Sequence, residues 1–126
     1  MKSRETAMRL KRFEADEKAR KVADLQHMIQ EFEIMARDLD RQIAAEEDRT
    51  GVRDPAHFNY STYAKSAAQR RDNLLSSVEG LRVKLEAAQR ERDDAMEQVS
   101  RSGIVEQQDS IRPNRRGDRP GGLIAS

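Results

Sequence analysis

Between Val22 and Ile43 the apolar positions recur at alternating spacings of three and four: Val22, Leu25, Ile29, Phe32, Ala36, Leu39 and Ile43. Most residues between them are charged or carry amides. A 3-4-3-4 spacing averages about 3.5 residues per turn and keeps one narrow stripe turned toward a neighbouring helix, the signature of a left-handed coiled coil. An amphipathic helix on a broad globular core shows a wider apolar face. Val22, Ile29, Ala36 and Ile43 take the a positions of the heptad, and Leu25, Phe32 and Leu39 the d positions. Upstream, Met8 and Ala15 continue the a series, but Lys11 and Lys18 occupy d. Leu10 and Phe13 fall outside the stripe.

The spacing predicts helix 1 over about residues 4–49, with Ser3 as its N-terminal cap. That length makes a rod of about 70 Å. Gly51 offers the left-handed residue that ends many helices, and Val52 is placed to fold back on the last turn. Residues 50–60 form a connection in which Asp54-Pro55 suits a single capped turn. Ser61 caps helix 2, expected over about residues 61–102, and Gly103-Ile104 repeats the stop signal. Helix 2 has its own stripe of Ala64, Ala67, Leu74, Val78, Leu81, Leu85, Ala88, Ala95 and Val99, with Arg71 and Arg92 as polar a positions. Gly80 lies mid-helix on the outward side, at a cost of about 1 kcal/mol relative to Ala.

Two stripes of similar length joined by a short connection predict an all-α fold, a long two-helix antiparallel coiled-coil hairpin over residues 1–103. The short connection keeps the closure entropy small. The favoured register sets Leu25 against Leu85, Ile29 against Leu81, Phe32 against Val78 and Ala36 against Leu74. It brings Lys18 beside Arg92 and Lys11 beside Val99, so the half near the termini is poorly zipped. A register slid by one heptad is the alternative. Residues 104–126 hold Pro113, Pro120, Gly117, Gly121, Gly122 and several Arg with no period, and read as a disordered tail.

Composition narrows the class. Charged residues make up 37% of the chain and aromatics 4%, with neither Trp nor Cys. That suits long solvated helices and a single domain, and excludes disulfides and thiolate metal sites. A signal peptide and a membrane span are not expected. Residues 1–21 carry a net charge of +4, and residues 22–50 a net charge of −5. The chain has no phosphate-binding loop and no nucleophile constellation, so an enzyme is not expected, nor a cofactor. His27 and His57 lie on different elements and read as solvated side chains. Glu46-Glu47-Asp48 reads as helix surface.

Apolar residues off the stripe are the candidate partner contacts. Met28, Met35 and Leu75 flank the seam and are expected to broaden it; they would also permit a second copy to pair into a four-helix bundle. Leu10 and Phe13, beside Arg9, Lys11 and Arg12, mark either a partner surface or a local shift of the heptad frame. Ile34 has no place in a two-helix seam. Arg9, Leu10, Arg12, Phe13 and Ile34 are therefore the candidate partner-binding residues. Phe58, Tyr60 and Tyr63 are expected to plug the open end of the hairpin, with the phenol oxygens reaching water.

The opening MKSRETAMRLKRFEADEKARKVADLQ and the connection GVRDPAHFNYSTYAKSAAQRRDNL, on this hairpin plan, resemble the FliJ-type flagellar export protein in its alphaproteobacterial form. The likeness covers about residues 1–99, and the stretch DPAHF…TYAK…QRRDNL carries most of it. The resemblance implies a cytoplasmic, non-enzymatic component of the flagellar type III export apparatus, peripheral to the inner-membrane flagellar base. Its fold would be like the central stalk of rotary ATPases. Its implied partners are the hexameric export ATPase, the membrane export gate and export chaperones, with the terminal end of the hairpin entering the ATPase ring. The tail beyond Gly103 departs from that family. A generic coiled-coil adaptor or self-associating scaffold, with a basic tail, is the competing reading; loss of a salt-sensitive nucleic-acid affinity on deleting residues 104–126 would favour it.

Overall fold

The computed structural model describes the backbone of residues 2–116 and the side chains of residues 3–103. It consists of two helices, α1 (Lys2–Thr50) and α2 (Thr62–Arg116). The chain divides into two compact units, and both helices contribute to each. One comprises Lys21–Ala88; the other comprises Met1–Arg20 with Gln89–Ser126.

In the Lys21–Ala88 unit the helices pack antiparallel along the expected stripe. Val22, Leu25, Ile29, Ala36, Leu39 and Ile43 are buried on α1, and Ala64, Ala67, Val78 and Ala88 on α2. Phe32, Leu74, Leu81 and Leu85 are half-buried at the positions between. Val22 and Leu25 cluster with Leu81, Leu85 and Ala88, which is the favoured register and not the one slid by a heptad. Two cross-helix ion pairs agree with it, Asp40–Arg71 at 2.9 Å and Glu33–Arg82 at 2.5 Å. The seam is only one stripe wide. Met28, Met35 and Leu75, expected to broaden it, are 41%, 47% and 42% exposed. Two round helices touch along a and d alone, so side chains at the flanking positions reach the edge of the contact without being covered.

In the Met1–Arg20 and Gln89–Ser126 unit the helices also meet along a and d positions of the heptad. Met8 and Ala15 are buried, and Ala95 and Val99 are half-buried opposite. Lys11 and Lys18 are half-buried at their d positions, and their ammonium groups reach polar side chains of α2. Lys11 Nζ donates to Ser102 Oγ at 3.1 Å and Lys18 Nζ pairs with Glu91 at 3.3 Å, so neither lysine is left against Val99 or Arg92 as a bare charge.

The helix ends differ from expectation in two places. α1 begins at Lys2, so Ser3 lies inside the first turn and is not a cap. A cap residue marks a boundary only where the backbone leaves the helix, and at Ser3 the backbone is helical. α2 runs through Gly103 instead of ending at about residue 102. Gly51 alone among the described glycines has a positive φ, at 76°. Gly103 lies inside α2 and not at its end; a Cβ there would meet Met8 Cε at 4.0 Å, an ordinary van der Waals contact. Of the expected tail over residues 104–126, residues 117–126 lie outside the described residues, as do all of its side chains.

Candidate functional site

The turn is built by short-range chemistry. Gly51 N–H donates to Glu47 O at 2.8 Å, the single bond of a left-handed helix stop, and Val52 packs on the Leu39–Ile43 cluster. Asp54 Oδ1 accepts from Ala56 N–H at 3.0 Å, and His57 N–H donates to Asp54 O at 2.9 Å, which makes the turn that Asp54-Pro55 predicts. A second turn follows, with Tyr60 N–H donating to His57 O at 3.0 Å and His57 Nδ1 accepting from Asn59 N–H at 3.0 Å. Ser61 then caps α2, its Oγ accepting from Ala64 N–H at 3.2 Å.

The aromatic plug is one residue, not three. Tyr60 is buried among Leu39, Ile43, Ala64 and Ala67, and its phenol donates to Glu47 Oε2 at 2.6 Å instead of reaching water. Tyr63 is 54% exposed and donates to Gln42 Oε1 at 2.9 Å. Phe58 is 91% exposed and stacks on His57 with ring centroids 4.8 Å apart.

Two residues read as plain helix surface hold this turn. Glu46 accepts from Arg49 Nη2 at 2.8 Å and from Ser61 Oγ at 2.6 Å. Those two donors, Arg49 first, hold its carboxyl at about 2. Glu47 accepts from Tyr60, and that bond to a carboxylate pushes the phenol above its ordinary range. Asp48 stays on the surface, paired with Arg53. Extending the d series by one heptad from Leu39 lands on Glu46, and that signal was available in the sequence.

The candidate partner residues fall into both units. Leu10 and Phe13 are 56% and 59% exposed, while Met8 and Ala15 beside them are buried. The heptad frame is therefore not shifted, and the pair is surplus to the seam. Arg9 and Arg12 are exposed beside them. Phe13 also lines an open groove with Ala95, Lys18, Glu14, Glu17 and Asp94. Phe13 thus borders both signs of charge, Arg12 beside it in sequence and Lys18 with Glu14, Glu17 and Asp94 in the groove. Ile34, 47% exposed, belongs to the other unit and is not part of this patch.

No group of His, Asp or Glu among the described residues is placed to hold a metal ion, and no helix there is long and apolar enough to cross a membrane. No family model, curated protein or solved structure matches the chain.

Proposed function

We propose that this protein is a non-enzymatic, stalk-like component of the flagellar type III export apparatus that binds the hexameric export ATPase. Three things support the reading: the resemblance of its opening and connection to FliJ-type proteins, the antiparallel two-helix fold, and above all the exposed pair Leu10 and Phe13. A helix whose seam is complete without them has no internal use for two large apolar side chains, and such side chains are sites where a partner gains by burial. An asymmetric two-helix body inside a symmetric ring presents different faces to different subunits and biases them toward different states. The export gate and export chaperones are further partners, to which no residues are assigned, and the location would be cytoplasmic at the flagellar base.

The test is co-purification with the export ATPase and stimulation of its hydrolysis. Both are expected, and a clean negative on both retires the proposal. Replacing Leu10 and Phe13 with Ser should weaken the association at least tenfold while the helical circular-dichroism signal is unchanged. Association that survives the double replacement would move the contact elsewhere.

A further inference from the structure

The two flanks of the Lys21–Ala88 seam are unequal. On one, polar side chains link the helices at successive levels: Glu33 with Arg82, Asp40 with Arg71, Glu47 with Tyr60. On the other, only Tyr63 reaches across, to Gln42. Between there and Val22 that second flank carries Met28 and Met35 on α1, both exposed, and on α2 Ser77 with Gly80 outward of it. Gly80 is the anomaly. It sits in the middle of a helix, where it costs about 1 kcal/mol relative to Ala, and a Cβ there would meet nothing within 4 Å. Nothing inside the hairpin asks for a glycine.

We infer that this flank is the self-association face of the protein, and that a second copy of the chain covers it to make a four-helix bundle. Charge selects both occupant and arrangement. Beside the methionines, α1 carries the outward column Asp24, Glu31 and Asp38, one acid per heptad. Beside Ser77, α2 carries Arg70 and Lys84. Stacking α1 on α1 would set acid against acid. A two-fold axis parallel to the helices instead lays α1 of each copy on α2 of the other, with every neighbour antiparallel.

At that level the antiparallel register sets Asp24 against the second copy's Lys84, and Asp38 against the second copy's Arg70. Met28 falls against the second copy's Gly80, whose missing side chain admits the thioether, and each contact occurs twice. The flank is thus complementary to itself in charge and in shape. The inference goes beyond the export reading and does not rest on it: a failure to bind the ATPase leaves it standing.

Sedimentation equilibrium of the full chain tests it. The expected mass is about twice the 14.4 kDa of one chain, and a monomer at every concentration into the hundred-micromolar range overturns it. Met28→Glu with Met35→Glu should give a helical monomer; a dimer that persists overturns the choice of face. Exposed charges give a variant that does not threaten folding. Asp24→Lys with Asp38→Lys should weaken the dimer at least tenfold, and adding Arg70→Glu with Lys84→Glu should restore it. Failure to restore overturns the α1-on-α2 arrangement.

Discussion

At the scale of single residues, the polar side chains that matter most close the turn. Glu46 is 14% exposed and accepts from two donors, which hold its carboxyl near 2 against an ordinary 4.5. A group whose folded value is depressed stabilises the folded chain at neutral pH, and that contribution is lost as pH falls from about 4.5 toward about 2. Urea denaturation followed across this range should show an acid limb that Glu46→Gln flattens. Tyr60 works in the opposite sense. Its phenol is raised, so its contribution is present below the ordinary tyrosine value near 10 and is lost as pH rises beyond it. Tyr60→Phe removes the bond to the Glu47 carboxylate and should lower the urea midpoint at neutral pH. Gly51 is the one glycine required for its backbone. At φ 76°, Gly51→Ala should cost roughly 1–2 kcal/mol and lower the urea midpoint.

At the scale of elements, stability follows how many a and d positions are large and apolar. The Lys21–Ala88 unit fills most of them with Val, Leu, Ile and Ala in two clusters. The other unit spends two d positions on lysines and, among its described residues, buries only Met8 and Ala15 on α1. Amides of residues 2–20 should therefore exchange with solvent well before those of residues 21–50, as read by hydrogen-exchange mass spectrometry; equal protection would contradict this account of the seam. The same logic separates seam from surface. Leu39→Ala, at a 5% exposed position, should cost about 2–5 kcal/mol. Leu10→Ser and Phe13→Ser should each change stability by no more than about 0.5 kcal/mol. A large loss at Leu10 or Phe13 would make them core and remove the basis for a partner contact there.

At the scale of the molecule, one chain doubles back so that Leu25 meets Leu85. The absence of cysteine lets labels be placed at will. Nitroxides at these two positions, diluted with unlabelled chain, should lie about as far apart as two packed helix axes, roughly 8–10 Å. The export reading and the four-helix bundle use different residues, Leu10 and Phe13 for one and Met28, Met35 and Gly80 for the other. Each can therefore fail alone.

The sequence by itself determined the helices, their antiparallel pairing and the seam; it left two registers a heptad apart, between which the packing of Val22 and Leu25 on Leu81, Leu85 and Ala88 decided. The first three follow from a period of 3.5, and a period is a local property that survives without knowledge of the partner. It also marked Leu10, Phe13 and Ile34 as surplus to that period. Only the tertiary structure decided what the side chains next to the stripe do. Glu46 and Glu47 became the anchors of the turn, and Tyr60 separated from Phe58 and Tyr63. Each of those outcomes depends on which atom the other helix brings within reach, and the pattern of one strand of sequence does not contain that distance.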